Sequence, residues 1–345
     1  LTFAKAIEFI DIGGPSMIRA AAKNYHSIVP LCNPDLYSEF MTEYLENNGK
    51  ISLDVRQKYA CEVFSMTSKY ESAIYKYFTK DSSEFSDTIN LSLEKAAVLR
   101  YGENPHQNAA FYLPDGNKLP WTQLQGKSLS YNNYADIESA ISITLEFNEP
   151  SCAIIKHANP CGFGVGDSIN QAFHRAVSTD PISYFGGIVA FNKVVDEYTA
   201  MDLVKPFLEC IVAPEVTPEA LEVFKKKKNL RVVTVGDSYK PSHESIRSVA
   251  GGFLVQEKDS DQGELDQLEI VTHLQPSHDN LSAMKLGWTL VRYVKSNGIV
   301  YSSSTQLLAV GAGQMSRVDS VKIGIRKVNE AGLNLKGSIL ASDAF

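Results

Sequence analysis

No two of the five cysteines stand in a C-x-x-C spacing; they lie scattered at Cys32, Cys61, Cys152, Cys161 and Cys210. An odd, dispersed set argues against a disulfide framework and fits a reducing, cytoplasmic setting. No apolar run approaches the roughly 18 residues of a membrane helix, and no secretory leader is visible. Positive charge is not in excess either. The 33 Lys and Arg against 40 Asp and Glu leave a net charge of -7, which argues against a general affinity for nucleic acid. An anionic ligand must then be held by local cations and backbone N–H groups. None of the seven histidines begins H-x-E, Pro160-Cys161 is followed by Gly-Phe-Gly rather than x-x-Cys, and H-E-x-x-H does not occur. Zinc chemistry of the deaminase or zincin type is disfavoured, and no metal ligand set is expected.

Nucleotide fingerprints are also incomplete. "VGAGQMSR" (310–317) has G-x-G without the third glycine, and "LQGKSLS" (124–130) has Gly-Lys-Ser but Trp121 where a P-loop needs glycine. A dinucleotide-dependent dehydrogenase therefore rests only on G-x-G turns. What "GAGQMSR" offers is bare N–H groups after a strand, with Arg317 beside them. An anion nest and a plain turn into a helix read alike here.

What is present is 345 residues, 44% hydrophobic and 21% charged, enough for two to three domains with sizeable cores. "IDIGGPSMIRAAAKN" gives turn chemistry and an alanine-rich helix, with Arg19 and Lys23 on one face. "IVPLC" reads as a buried strand, and residues 36–79 carry two helices. The polar stretch 79–92 is the best domain boundary. Beyond it, "CAIIKH", "GGIVAFN", "CIVAP", "LRVVTV", "GIVYSSS" and "QLLAVGAG" read as strands. They alternate with helices such as "DIESAISITLEFN", "INQAFHRAVS" and "TPEALEVFKKKK", the pattern of α/β layers with mostly parallel strands. Lys225–Lys228 reads as a solvated helix end, and 257–269 as a surface loop. The chain starts at Leu1 and stops on a strand-like run, "ILASDAF", so an internal fragment of a longer protein is expected.

Chemistry concentrates in two places. Lys156-His157 ends a buried strand, and in α/β sheets ligands bind at carboxyl ends of strands. A histidine there can serve as general base and its cationic neighbour can stabilise charge on a reacting oxygen. Gly162, Gly164 and Gly166 would let the backbone approach a ligand closely; an ordinary surface turn would carry the same pair. In "LRYGENPHQNAAFY", Arg100, Tyr101, His106 and Gln107 crowd eight positions. A guanidinium beside an aromatic ring suits a phosphorylated planar ligand.

Taken together, "RYGENPHQ", "KHANPCG", "DPISYFGGIVAFN", "IVAP", "KSNGIVYS" and "GAGQMSR" resemble the bifunctional purine-biosynthesis family. Its members fuse phosphoribosylaminoimidazolecarboxamide (AICAR) formyltransferase to IMP cyclohydrolase. The resemblance spans essentially the whole chain and implies an α/β fold: the distal part of a Rossmann-like cyclohydrolase domain, then cytidine-deaminase-like layers without zinc. The expected division is 1–80 for the cyclohydrolase part with its helical linker, 90–280 for the first deaminase-like subdomain and 281–345 for the start of the second.

The implied reaction transfers a formyl group from 10-formyltetrahydrofolate, a co-substrate, to AICAR; the product FAICAR is then cyclised to IMP. The resemblance carries proton acceptance to His157, transition-state stabilisation to Lys156 and orientation of the reacting groups to Asn297. Substrate contacts fall on Arg100, Tyr101, His106, Phe185, Gly186, Glu209, Arg317 and Phe345, and a folate contact on Val318. Glu209 stands where some members have Asp. On the cyclohydrolase side, Lys23 matches the catalytic lysine and Asp11-Ile12 a nucleotide contact; "KNYH" replaces the commoner "KNH", so His26 takes no role. The family also implies a cytoplasmic homodimer with shared sites, with no nucleic acid or membrane partner. A monovalent-ion requirement is left open. The competing reading is a non-catalytic nucleotide-binding or dimerisation module.

Overall fold

The computed structural model describes residues 2–80, 85–236, 239–259 and 269–343. Two compact units divide the chain: residues 1–95 with 112–117, and residues 96–111 with 118–345.

The first unit is helical. Helix α1 spans Phe3–Ile7, α2 Gly13–Lys23, α3 Tyr37–Glu46 and α4 Leu53–Phe78. Ser52 caps α4, its hydroxyl accepting from the Val55 N–H at 3.3 Å. Tyr59, Ala60, Val63 and Thr67 recur at helical spacing along α4 and are buried; Ala60 and Val63 cluster with Ala22 of α2. "IVPLC" forms no strand. Pro30 at its centre has no N–H for a ladder, and the segment is irregular and largely part-buried. A two-stranded ribbon follows, β1 (Leu93–Leu99) with β2 (Ala109–Pro114).

The second unit continues with β3 (Trp121–Gln125), α5 (Tyr131–Thr144), β4 (Ser151–Lys156), β5 (Asn159–Val165) and α6 (Ile169–Thr179). Next come β6 (Ile188–Phe191), α7 (Glu197–Leu203), β7 (Cys210–Ala213), α8 (Pro218–Phe224) and β8 (Arg231–Val235). A hairpin, β9 (Glu244–Val249) and β10 (Gly252–Glu257), leads to α9 (His278–Val291), β11 (Ile299–Ser302), β12 (Leu307–Gly311), α10 (Arg317–Glu330) and β13 (Ile339–Ser342).

Six strands form one sheet in the order β3-β8-β7-β6-β4-β5, and three form another, β12-β11-β13. An antiparallel bridge between Gly164 and Gln306 joins β5 to β12, continuing the sheet edge to edge. Strand residues alternate between two apolar layers. Ala153, Ile155, Ala190 and Val212 pack with α5 and α9, while Cys152, Ile154, Val189 and Ile211 pack with α6, α7 and α8. Covering on both faces explains why these strands read as unbroken apolar runs.

The strand order corrects the expectation of mostly parallel pairing. Only β6-β7 and β7-β8 are parallel; β3-β8, β4-β6 and β4-β5 are antiparallel, as are both pairs of the smaller sheet. Alternation of strands and helices hid this, because β4 returns directly as β5 through a two-residue hairpin. The glycine-rich stretch after His157 is therefore a strand, not a loop opened for a ligand. A Cβ on Gly162 would meet the Ala176 carbonyl oxygen at 2.2 Å, and one on Gly164 the Ala172 oxygen at 2.7 Å. What the bare backbone approaches is helix α6. The loop read at 257–269 falls mostly outside the described residues, and no described helix is long and apolar enough to cross a membrane.

Candidate active site

The register of the sheet decides where the candidate residues lie. Ile155 pairs with Ile188, Ile188 with Cys210, and Cys210 with Arg231, so the carboxyl end of β4 adjoins the amino ends of β6, β7 and β8. Lys156 and His157 therefore sit beside Phe185 and Gly186, which precede β6, and Glu209, which precedes β7. Because β4 runs antiparallel to β6 and β3 to β8, this end gathers the carboxyl ends of β3 and β4 with the amino ends of β6, β7 and β8. On the other side, Ile299 pairs with both Gly311 and Ser342. Asn297, the 312–315 turn and Asp343 thus share this same end.

Hydrogen bonds link the row. The Lys156 ammonium donates to the Phe185 carbonyl at 2.9 Å and to the Ser183 carbonyl at 3.3 Å. Asp180 shapes that turn, accepting from the Ser183 N–H at 2.8 Å and pairing with Lys327 of α10. Gly186 donates to the Phe207 carbonyl at 2.8 Å, and Glu209 donates its N–H to the Gly187 carbonyl at 3.1 Å. The Glu209 carboxylate is held by Arg231 at 2.5 Å, a guanidinium whose side chain is only 5% exposed. Phe185 is exposed and its ring lies 5.3 Å from that of Phe207.

His157 is exposed at the rim of a cavity of about 330 Å³. Lys156, Asn159, Cys161, Asp180, Gln314 and Lys327 line it with His157. Burial pushes the Cys161 thiol up to about 12, with Asp180 adding to the rise, so this sulfur is no nucleophile at neutral pH. His157 and Ala158 form the hairpin turn with φ of 54° and 57°. Such left-handed geometry is uncommon outside glycine and marks a strained, specified turn. Asn159 ties it down, donating to the His157 carbonyl at 3.0 Å and accepting from the Lys295 N–H at 3.0 Å.

Asn297 follows a cis peptide after Ser296. Its amide donates to the Gln314 carbonyl at 2.8 Å and accepts from Arg317 at 3.0 Å. Arg317 also reaches Ser342 at 2.6 Å and pairs with Asp343. "GAGQMSR" forms the turn from β12 into α10, with the Arg317 guanidinium paired with Asp343. Val318, in the first turn of α10, is exposed. Arg100 lies over the Tyr101 ring at 5.4 Å. Their loop rests on the start of α5, where Tyr131 donates to the Tyr101 carbonyl at 3.4 Å and Asn132 to that of Glu103 at 3.3 Å. His106 in this loop is exposed. Phe345 lies outside the described residues.

In the first unit, Asp11 accepts from the Gly14 N–H at 3.0 Å and donates its own N–H to Tyr70 at 2.7 Å. Asp11, Pro15, Ile18, Met66 and Tyr70 line a cavity of about 350 Å³; Ile12 is exposed beside it. Lys23 ends α2, so at a rise of about 1.5 Å per residue its backbone stands about 15 Å along the axis from Gly13, beside Asp11, and about 7.5 Å from the Ile18 wall of that cavity. The structure does not bring Lys23 and Asp11 together. Arg19, on the same helix face, stacks over Phe64 at 5.6 Å.

Known proteins match the chain along its whole length. The model of the AICARFT/IMPCHase bienzyme family matches residues 21–327. The chain belongs to that family. It is 44% identical over 350 residues to the bifunctional purine biosynthesis protein PurH of Microcystis aeruginosa, 46% over 354 to that of Rippkaea orientalis and 45% over 352 to that of Nostoc punctiforme. Each match takes in 100% of this chain and 68% of the relative. AICARFT/IMPCHase membership places the chain in purine biosynthesis and in an enzyme that joins AICAR formyltransferase to IMP cyclohydrolase.

Several residues that build this end of the sheet gave no signal in the sequence. Asp136 reads as an ordinary helix acid, Arg231 as a strand residue and Lys327 as a solvated helix cation. Asp180 and Asn159 stood inside quoted motifs without a role of their own. A motif search marks such positions but not which carbonyl or N–H each one serves.

Proposed function

We propose that the sheet end carrying Lys156 and His157 is the formyltransferase site, and that 10-formyltetrahydrofolate is the donor. The observation that carries this reading is an exposed His157 imidazole beside a held ammonium, at the rim of a cavity in a chain of this family. The AICAR 5-amino group is a weak nucleophile, conjugated to a carboxamide-bearing imidazole. As its nitrogen bonds to the formyl carbon, His157 takes its proton. The bond from that carbon to folate N10 breaks, and N10 leaves protonated as tetrahydrofolate. General base catalysis of this kind supplies about 10²- to 10⁴-fold. An ammonium has three donors; with two on the Ser183 and Phe185 carbonyls, the third is left for the formyl oxygen as it gains negative charge.

Asn297 and Arg317 orient the substrates from the β11 side, while Arg100, Tyr101, His106, Phe185, Gly186 and Glu209 make up the nucleotide side. Val318 and Phe345 are assigned to folate and substrate contact. In the first unit, Asp11, Ile12 and Lys23 are assigned to cyclisation of FAICAR, in which water is lost as the ring closes to IMP. The division at 1–80, 90–280 and 281–345, a homodimer with shared sites and a cytoplasmic location belong to the same proposal. In the enzyme at its natural full length, His157→Ala is expected to lower formyl transfer by about two orders of magnitude or more, leaving cyclisation of added FAICAR nearly unchanged. Lys23→Ala is expected to do the reverse. Loss of the same half-reaction in both variants overturns the two-site assignment.

A further inference from the structure

The hairpin turn that presents His157 is unusual in its residues. Two-residue turns with both φ values positive are ordinarily filled by Asn-Gly or Asp-Gly. Here they are His157 and Ala158, at 54° and 57°. Alanine has neither glycine's freedom nor a polar side chain to stabilise the left-handed region, so something outside the turn must hold it.

The group that faces it is Asp136 of α5. Its Oδ1 accepts from the Ala158 N–H at 2.6 Å, and the His157 backbone lies close enough to the same carboxyl to favour its charged form. One side chain thus faces the backbone of both strained residues. Helix electrostatics do not explain an acid there. Asp136 is the sixth residue of α5, past the first turn to which the dipole effect is confined, and that first turn carries no acid. Its backbone is fixed independently, by a capping box between Ser130 and Asn133. Burial holds the Asp136 carboxyl above the usual carboxylate range despite the hydrogen bond from Ala158, the His157 backbone and the nearby imidazole, which favour its charged form. A carboxylate kept where burial works against it fits a role other than fold stability.

We infer that Asp136 is a positioning residue for formyl transfer, holding the His157–Ala158 turn so that the imidazole meets the attacking amine. The inference rests on the assignment of His157 above. Asp136 need not touch substrate; it acts through the turn.

The test uses the full-length enzyme and its formyl-transfer and cyclisation assays. Asp136→Ala is expected to lower kcat for formyl transfer by about 10- to 100-fold, the loss typical of a catalytic group displaced by about 1 Å, with KM for AICAR within about threefold. Cyclisation should be unchanged. Combined with His157→Ala, the same substitution should add no further loss, because groups acting as one unit are not additive. Ala158→Gly placed in Asp136→Ala should recover several-fold of the rate, since glycine accepts φ near 57° without help. If Asp136→Ala does not fold, Asp136→Asn, which keeps an acceptor for one N–H, carries the same comparisons. Wild-type kcat in either variant overturns the inference, as does a loss that multiplies with that of His157→Ala or falls equally on cyclisation. Should His157→Ala itself leave formyl transfer intact, the site assignment fails first, and the positioning role goes with it.

Discussion

Gly162→Ala separates two explanations for the glycines after His157. A Cβ at this position lies 2.2 Å from the Ala176 carbonyl oxygen and 2.9 Å from its carbon, both in the backbone of α6. Ordinary van der Waals contact begins near 3.4 Å, so α6 must withdraw by about 1.2 Å. The helix cannot swing aside freely. Ala172, Phe173 and Ala176 are packed into the same layer as Ile154 and Val189. Overpacking of this sort costs about 1–3 kcal/mol. In a domain of this size each kcal/mol lowers Tm by about 2–4 °C, so thermal unfolding followed by circular dichroism should show a fall of about 2–12 °C. Substrate KM should move little. If the bare backbone instead served a bound ligand, the methyl would leave Tm alone and raise KM. That result would refute the packing explanation.

Two further outcomes follow from the ionisable groups. A thiol reagent at mildly alkaline pH should label Cys61 first, because it is exposed on α4. Burial raises Cys32, Cys152, Cys161 and Cys210, and it is the largest influence on each. Rapid labelling of Cys161 by mass spectrometry would show that its cavity is open in a way the structure does not allow. Asp180 tests the acid side: burial alone raises its carboxyl, but Lys327 and Ser183 together bring it below the ordinary 3.8. A depressed folded pKa means stability present above about 3.8 and lost as pH falls through the lower folded value. Asp180→Asn should therefore flatten the acid limb of the unfolding curve below about pH 4; an unchanged slope counts against the Lys327 pairing.

The strands of the large sheet were legible because packing on both faces makes them continuously apolar, and "CAIIK" or "CIVA" admits few other readings. Their directions were not. Parallel and antiparallel neighbours impose the same burial pattern, and only the register tells Ile155 paired with Ile188 from the reverse. "NPCGFGV" was lost as a strand for a different reason. Glycine at 162 and 164 lowers strand propensity, yet it is required by the close approach of α6, a tertiary fact with no local signature. "IVPLC" failed in the opposite sense: its propensity is that of a strand, but Pro30 and the want of a pairing partner leave it irregular and alone.

For the site, chemistry-bearing residues were legible and their supports were not. Lys156, His157, Asn297 and Arg317 announce themselves by type and motif. That they share one sheet end depends on β4 running antiparallel to β6, which puts its last residues beside the amino ends of β6 and β7. The antiparallel hairpin has a consequence that a parallel crossover would lack. It presents Lys156 at the end of β4 and His157 on a two-residue turn, short enough to be fixed by Asp136 and Asn159. A long strand-to-helix loop of the parallel kind would need many more contacts to hold an imidazole as firmly, since each ordered backbone residue costs about 1–2 kcal/mol in conformational entropy. The strain at His157 and Ala158 is confined to two residues, and the groups that offset it come from α5 and β5, both anchored in the core. The same economy explains why the sequence could name the candidate histidine but not what holds its turn: a helix acid and a strand asparagine look ordinary until the turn between them is seen.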